Sequence, residues 1–217
     1  MQIVIIGASG FIGSALTSEA LQRGHQVRPL VRDAGKLAAL QQQYPQQLQV
    51  VSVDVLDSQA LLPWLQQQPL VISAFSGHSD ADVSGYYQRG FASILQAVKQ
   101  SAVSRFLLVG GAASLQLPDG SMLLDSPNFP AAYRGSAEGA YAALQQLRSE
   151  TTLAWSYLSP AAEIFPGAAS GQFRLGGDML LTDAEGHSRI STGDYAVAML
   201  NEAEQPAHTG QRFSIAY

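Results

Sequence analysis

Three glycines near the start of the chain have the spacing of a phosphate-binding loop. Gly7, Gly10 and Gly13 follow the apolar run 2–6, and a helical pattern begins at Phe11. The first glycine would permit a tight turn, the second a close backbone approach to a diphosphate, and the third close packing of helix on strand. The helix N-terminus would offer N–H groups and a positive dipole end. The residues predicted to bind a dinucleotide here are Gly7, Ala8, Ser9, Gly10, Phe11, Ile12 and Gly13.

The residue type that follows the second predicted strand, 26–31, discriminates between NAD and NADP. An acidic residue there would accept hydrogen bonds from both ribose hydroxyls, whereas a basic residue would pair with the 2′-phosphate. Arg32 lies at this position, and Asp33 is placed to cap the next helix. We therefore expect NADP(H) to be preferred, with NAD(H) possible. The competing interpretation is that Arg32 is a surface residue at a strand–helix turn and that the protein accepts either cofactor.

Residues after three further predicted strands complete the expected cofactor site. Asp54 should border the adenine and accept a hydrogen bond from its exocyclic amine, or else it caps the following helix. The segment after the sixth strand should lie at the nicotinamide edge, or else it is a simple turn. The other residues predicted to line the cofactor are Val55, Ser73, Ala74, Phe75, Ser159, Pro160 and Ala161.

Short apolar runs alternate with longer helical patterns along the chain. The runs are β-branched and apolar throughout, as expected for parallel strands covered on both faces. The predicted strands are 2–6, 26–31, 48–53, 70–74, 105–109, 153–158 and 212–216, and the predicted helices are 11–23, 34–43, 57–66, 84–100, 130–149 and 192–202. The pattern predicts an α/β fold with a doubly wound parallel sheet (Rossmann fold). We expect one domain over 1–217, with a small C-terminal cap region from about 160 to 217, and loops over 111–130 and 166–177.

The chain resembles the atypical short-chain dehydrogenase/reductases, in particular the NADH-flavin reductases and the NmrA-type NAD(P)-binding proteins. The segments that carry the resemblance are 6–13, 31–32, 53–55, 109–115, 158–161, 174–178, 190–191 and 194–196. Gly110 and Gly111, in one of these segments, are also predicted to contact the cofactor. The resemblance implies NAD(P)H binding and reduction of a flavin or another flat, conjugated acceptor.

The sequence departs from the Tyr-x-x-x-Lys pair of typical short-chain dehydrogenases. In that pair the tyrosine donates a proton to a carbonyl and the lysine lowers its pKa. Tyr133 is followed four residues later by Ala137, Tyr141 is followed by Gln145, and no lysine lies after Lys99. Carbonyl reduction and sugar epimerisation by that route are therefore disfavoured. Hydride transfer to a ring nitrogen, with a proton from water, needs mainly proximity.

These considerations lead to three functional hypotheses. The first is an NAD(P)H-dependent oxidoreductase with a flavin-like or quinone-like acceptor, in which Tyr133 and Ser114 are the candidate catalytic residues. The second is a non-catalytic NAD(P)-sensing regulator of NmrA type that binds a protein partner. The third is an NAD-dependent epimerase or dehydratase, which the missing lysine disfavours.

Four further residues are candidates for the acceptor side of the site. Glu163, Phe165 and Arg174 could line an acceptor pocket, and His78 follows the fourth strand closely enough to face the cleft. Arg174 would suit an anionic acceptor such as a flavin phosphate. Its alternative role is a structural salt bridge with Asp178 or Asp183.

Composition argues against several other classes of function. The 217 residues have a net charge of −5 and no basic run, so nucleic-acid binding is not expected. The absence of cysteine excludes disulfides, thiolate metal sites and a cysteine nucleophile, and no spacing of metal ligands is present. No apolar run approaches the roughly 20 residues of a membrane span. The N-terminal segment has the character of a strand rather than a signal peptide, so we expect a cytoplasmic location without membrane association.

Overall fold

Strands and helices alternate through residues 1–78 and 80–217, the part of the chain that the computed structural model describes. The strands are β1 (Gln2–Ile6), β2 (Gln26–Val31), β3 (Val51–Ser52), β4 (Val71–Ser73), β5 (Phe106–Val109), β6 (Trp155–Ser159), β7 (Glu163–Phe165), β8 (Arg174–Gly176), β9 (Arg189–Ser191) and β10 (Gln211–Ala216). The α-helices are α1 (Phe11–Gln22), α2 (Ala38–Gln43), α3 (Ser58–Leu65), α4 (Val83–Gln100), α5 (Ala131–Arg148) and α6 (Thr192–Glu204), and short 3₁₀ helices span Ala34–Leu37 and Leu123–Asp125.

The main sheet has the strand order β3-β2-β1-β4-β5-β6-β10-β8. Its strands run parallel except for β8, which pairs antiparallel with β10. The order reverses between β1 and β4, where Ile6 is paired with Leu30 on one side and with Ser73 on the other. In such sheets a ligand binds beyond the carboxyl ends of the strands at this reversal. The predicted doubly wound α/β sheet is confirmed.

Apolar side chains alternate between the two faces of the sheet and form two hydrophobic layers. Ile3 and Ile5 face the layer that also contains residues of α1 and α6. Val4 and Ile6 face the opposite layer, which contains residues of α3, α4 and α5. This alternation, with a period of two residues, covers both faces of the parallel strands as the sequence predicted.

Most predicted elements agree with the observed ones to within about two residues, and three differ in a more substantial way. The third strand was predicted over 48–53, but β3 is restricted to Val51–Ser52, and Leu48 makes only an isolated bridge to Val27. The helix predicted over 34–43 begins with a 3₁₀ turn, capped by Asp33 through a 2.9 Å hydrogen bond from the Gly35 N–H. The loop predicted over 166–177 contains β8.

Residues after 160 form two pairings that the sequence did not predict. β7 and β9 make a parallel two-stranded sheet, and β8 covers the edge of β10. β7, β8 and β9 have three residues each, which is too short for an alternating pattern to stand out in the sequence. Among the described residues, no helix is long and apolar enough to cross a membrane.

Candidate functional site

Gly7 and Gly13 are required by the fold of the loop itself. Gly7 has a φ of +77°, and a Cβ there would lie 2.7 Å from the carbonyl oxygen of Ala74. A Cβ at Gly13 would lie 2.1 Å from the carbonyl oxygen of Gly7. The first glycine therefore lets β1 turn against the end of β4, and the third lets α1 pack onto that turn.

Gly10 differs from these two because internal packing demands much less of it. It is exposed, its φ is −80°, and the single neighbour near an added Cβ would be the Gly7 oxygen at 3.2 Å. Gly10 is also the N-cap of α1, and no side chain in the described part of the chain caps this helix. The loop thus has an open surface and first-turn N–H groups, and both features fit a bound diphosphate.

Other residues of the loop contribute through backbone or packing. Ala8 is fully buried, and its carbonyl oxygen accepts a 3.4 Å hydrogen bond from the hydroxyl of Thr17. Thr17 also donates to the Gly13 carbonyl within α1 at 2.8 Å, and its bond to Ala8 ties this helix to the loop. Sequence reasoning missed Thr17, because a threonine within a helix carries no signal for this contact. Ser9 and Ile12 are half-buried.

The end of β2 presents an exposed arginine. The main-chain oxygen of Arg32 accepts a 2.9 Å hydrogen bond from Ser52, which fixes its backbone beside β3. Within residues 1–78 and 80–217 its guanidinium makes no hydrogen bond or ion pair, so the group is available to a ligand.

The two aspartates that follow β3 have different roles. Asp54 is exposed and accepts a 3.0 Å hydrogen bond from Leu56 N–H, whereas Asp57 caps α3 by accepting from the N–H groups of Gln59 and Ala60. The alternative in which Asp54 caps this helix is therefore wrong. Its neighbour Val55 is buried in the layer beneath α3.

The segment after β4 borders the glycine loop mainly through its backbone. Ala74 N–H donates to the Ile6 carbonyl at 2.8 Å. Ser73 is fully buried, and its hydroxyl has no partner among the described residues. The ring of Phe75 packs on Tyr86 of α4, with centroids 5.6 Å apart, and a Cβ at Gly90 would lie 2.3 Å from it. The ring of Phe75 therefore packs toward α4, and the contact of this residue with the cofactor stays a prediction.

A buried tyrosine fixes the segment after β5. Tyr157 accepts a 2.9 Å hydrogen bond from Gly111 N–H and donates to the Ala140 carbonyl at 3.1 Å. Its ring occupies the space that a Cβ at Gly110 would need. Burial raises the pKa of Tyr157 to about 12, so the hydroxyl stays protonated and keeps its donor role. Gly110 and Gly111 are thereby held at the carboxyl edge of the sheet.

The segment after β6 is buried. Ser159, Pro160 and Ala161 are all inaccessible, and the Ser159 hydroxyl has no partner among the described residues. Just before them, the Leu158 carbonyl accepts a 2.7 Å hydrogen bond from Tyr195 of α6. This bond anchors the end of β6 to the helix that covers it.

The two candidate catalytic residues occupy unlike environments. Tyr133 is 62% exposed on the first turn of α5. Ser114 is 6% exposed, and its hydroxyl accepts a 3.3 Å hydrogen bond from Arg212. Ala137, where a lysine would complete the usual pair, is buried in a small cluster with Ala113 and Leu124. The position where the usual pair has lysine is therefore occupied here by a small apolar side chain that packs inside the protein.

Three of the candidates for the acceptor side, Glu163, Phe165 and Arg174, contact other groups of the chain. Arg174 donates to the main-chain oxygens of Thr182, at 2.7 Å, and Tyr217. Its predicted salt bridge with Asp178 or Asp183 is therefore wrong. The partners of Asp178 are Arg148, at 3.1 Å, and Arg212. Glu163 pairs with Arg189 at 2.9 Å, Phe165 packs under the same arginine, and His78 lies exposed in a turn.

Asp194, at the start of α6, holds the segment 167–171 against that helix. Its buried carboxylate accepts hydrogen bonds from Ser170 and Gly171 N–H at 2.9 and 2.8 Å and from Tyr217 hydroxyl at 2.6 Å. Burial favours protonation, but these donors outweigh it, and the pKa of Asp194 lies below its ordinary value. The carboxylate is therefore charged at neutral pH and holds the loop in place.

A doubly wound sheet with a glycine loop at its reversal defines the class of NAD(P)-binding Rossmann proteins. The model of the family described as NAD(P)H-binding matches residues 7–203. The chain belongs to this family, as the resemblance indicated.

Three similar proteins cover nearly the full chain. Protein YwnB of Bacillus subtilis (strain 168), which is uncharacterised, is 34% identical over 99% of this chain and 98% of its own. A Bacteroides thetaiotaomicron structure proposed to be an epimerase is 37% identical, with a TM-score of 0.91 over 100% of this chain and 96% of its own. A Streptococcus pneumoniae TIGR4 structure proposed to be an NADH-flavin reductase is 30% identical, with a TM-score of 0.83 over 100% and 99%.

Proposed function

We propose that the protein is an NAD(P)H-dependent oxidoreductase that prefers NADPH and reduces a flavin-like or quinone-like planar acceptor. The observation that carries the proposal is the contrast within the glycine loop. An added Cβ would clash with the backbone at Gly7 and at Gly13, so packing explains both glycines. At Gly10 it would meet only one atom, and this residue is exposed at the start of a helix that no side chain of the described residues caps. A diphosphate lying on this backbone accounts for the remaining glycine, Gly10.

The residues that would hold the dinucleotide lie along the carboxyl edge of the sheet. The first-turn N–H groups of α1 would bind the diphosphate, Arg32 the 2′-phosphate, and Asp54 the adenine amine. The buried segment Ser159, Pro160 and Ala161 would support the nicotinamide end. Bound NADPH supplies a hydride to the site.

The acceptor takes up that hydride and a proton from water, and it is reduced by two electrons while the dinucleotide is oxidised to NADP⁺. The chain needs mainly to hold two planar groups together, which is catalysis by proximity. The buried Ala137 in place of lysine supports this assignment, because it leaves Tyr133 without the usual activating partner. Tyr133 and Ser114 are proposed as acceptor contacts, and residues from about 160 to 217 as the cap over the acceptor.

Oxidation of NADPH and NADH by the purified protein, with a panel of flavins, quinones and redox dyes, tests the proposal. We expect dinucleotide oxidation that depends on both protein and acceptor, and that is faster with NADPH. Tight NADPH binding without turnover on any acceptor would favour the NAD(P)-sensing regulator instead. The name of the B. thetaiotaomicron relative suggests an epimerase, and the missing lysine argues against that reaction here. A cytoplasmic location stays a prediction.

A further inference from the structure

The hydrogen-bond ladder between β5 and β6 stops at Gly110. Gly110 N–H donates to the Leu158 carbonyl at 2.9 Å. Alternate residues of a parallel strand direct their N–H and carbonyl groups to the same neighbouring strand, so the next bond of the ladder would join the Gly110 carbonyl to the N–H of the residue after Ser159. That residue is Pro160, which has no N–H. Within residues 1–78 and 80–217 no donor bonds to the Gly110 carbonyl, so this oxygen is available to a ligand.

This carbonyl lies on the side of the sheet where the nicotinamide half of a dinucleotide belongs. A doubly wound sheet binds one mononucleotide half on each side of the reversal in strand order, which here falls between β1 and β4. Arg32 and Asp54, proposed for the adenosine half, follow β2 and β3, so the nicotinamide half falls on β4, β5 and β6. Gly110 and Gly111 are half-buried, whereas residues 159–161 are buried. Because glycine has no side chain, the accessible surface at the end of β5 is backbone.

We infer that the Gly110 carbonyl accepts a hydrogen bond from the N–H₂ group of the nicotinamide carboxamide. The inference rests on the proposed binding of NAD(P)H and names the group of the protein that would hold its reactive ring. A primary amide offers two N–H donors, and an unpaired main-chain carbonyl is the acceptor that complements them. The bond orients the nicotinamide ring and thereby fixes the place of the ring carbon that gives up the hydride.

The peptide group that carries this carbonyl is held from both faces of the sheet. Its N–H, which belongs to Gly111, donates to the hydroxyl of Tyr157 at 2.9 Å, in the layer that contains α5. The N–H and the carbonyl of a trans peptide point in opposite directions, so this bond directs the Gly110 carbonyl away from the buried tyrosine. In the opposite layer, Tyr195 donates at 2.7 Å to the same Leu158 carbonyl that accepts from Gly110 N–H. The acceptor is therefore in place before a ligand arrives, which lowers the ordering cost of binding.

Equilibrium binding of three ligands that differ in the nicotinamide half tests the inference. They are NADP⁺, its 3-acetylpyridine analogue, in which a methyl ketone replaces the carboxamide and offers no N–H, and 2′,5′-ADP, which lacks the nicotinamide half. We expect the wild-type protein to bind NADP⁺ about tenfold more tightly than the analogue, as one hydrogen bond would provide. Pro160→Ala supplies the N–H that the ladder lacks, so the Gly110 carbonyl gains an internal donor and the ratio of the two affinities should fall below about twofold. The affinity of this variant for 2′,5′-ADP should stay within about twofold of wild type, because that ligand does not reach Gly110.

Tyr157→Phe gives the decision if Pro160→Ala does not fold. It keeps the aromatic ring and removes the hydroxyl that fixes Gly111, so the ratio should shrink by at least about threefold while 2′,5′-ADP affinity is retained. Ser156→Ala is the matched control for loss of a buried hydroxyl, because Ser156 precedes Tyr157 on β6 and donates to Glu202 on the other face of the sheet. Pro45→Ala, at an exposed proline remote from β5 and β6, is the control for removal of a proline. Both controls should keep the wild-type ratio.

Each other outcome has a separate meaning. Equal affinity of the wild-type protein for NADP⁺ and the analogue overturns the inference, even if NADPH is oxidised. A ratio that persists in folded Pro160→Ala, including an equal loss for all three ligands, assigns the carboxamide to another acceptor and also overturns it. A ratio that the variant abolishes, without NADPH oxidation on any acceptor, supports the inference and contradicts the proposed reaction. Absence of dinucleotide binding to the wild-type protein overturns the proposed function and the inference together.

Discussion

The hydroxyl of Tyr217 donates a 2.6 Å hydrogen bond to the buried carboxylate of Asp194. The same hydroxyl oxygen accepts from Ser191 N–H at 3.2 Å. Asp194 in turn accepts from Ser170 and Gly171 N–H, which belong to the segment 167–171. Tyr217, which directly follows β10, thus helps Asp194 to hold the segment 167–171 against the start of α6.

Replacement of Tyr217 by phenylalanine should destabilise the protein without removing the ring. The lost bond has a charged acceptor, so we expect a cost of about 1–3 kcal/mol in the free energy of unfolding. Thermal and urea unfolding measure the effect. Tyr133→Phe is the matched control, because its hydroxyl lies on an exposed helix turn. Equal stability of the two variants would contradict a supporting role for Tyr217.

The lowered pKa of Asp194 predicts how the stability of the protein depends on pH. The folded state binds this proton less tightly than the unfolded state, so the contribution of Asp194 is complete above the ordinary Asp pKa of about 4. It is lost as the pH falls through the lowered value. The difference in the free energy of unfolding between wild type and Asp194→Asn should therefore be largest at neutral pH and shrink below about pH 4. A difference that stays constant from pH 7 to pH 3 would contradict this.

Gly10→Ala should weaken the binding of NADPH while it leaves the stability of the protein nearly unchanged. A Cβ at Gly10 meets only the Gly7 oxygen at 3.2 Å, so we expect a change of less than about 1 kcal/mol in stability. The methyl group would lie where the diphosphate is proposed to approach, and NADPH affinity should fall by at least about tenfold. Calorimetric titration with NADPH and thermal unfolding provide the two readouts.

Gly13→Ala is the comparison for this experiment. Its Cβ would lie 2.1 Å from the Gly7 carbonyl oxygen, so the helix must move and the protein should lose several kcal/mol of stability. Retention of full NADPH affinity by Gly10→Ala would remove the main support for diphosphate binding at this loop.

Arg32→Ala should lower the preference for NADPH over NADH. The exposed guanidinium has no partner within residues 1–78 and 80–217, and a charge-assisted bond to the 2′-phosphate should contribute about tenfold in affinity. NADH affinity should hardly change. Arg28→Ala is the control, since Arg28 lies on β2, the strand that Arg32 follows, and donates to Gln49. An unchanged ratio of NADPH to NADH affinity in Arg32→Ala would leave Arg32 without this role.

The parts of the fold that the sequence predicted are those specified by local patterns. The glycine spacing around Gly10, the Asp33 cap and the apolar strands each lie within a few adjacent residues, so they are visible without a structure. β8 was missed because its three residues are held by pairing with β10, far along the chain. No local pattern reports such a pairing.

Side-chain direction was the other feature beyond the reach of the sequence. Phe75 points to α4 because Gly90 leaves room for its ring, and these residues are 15 positions apart. The hydrogen bonds of the Asp194 carboxylate were also not predicted from the sequence. Its partners Ser170 and Tyr217 are 24 and 23 residues away, on either side along the chain.

Tyr133→Phe should leave flavin reduction within about threefold of wild type. A tyrosine proton donor contributes on the order of 10²–10⁴ when it is activated, and here the position four residues on is Ala137, buried against Ala113 and Leu124. A lysine at that position would place a charge in this apolar cluster, so Ala137→Lys should lower the melting temperature rather than raise the rate. Steady-state kcat/KM with riboflavin, measured with thermal unfolding, tests both variants. A loss above tenfold in Tyr133→Phe at unchanged melting temperature would instead assign the proton to the tyrosine, and catalysis by proximity alone would be wrong.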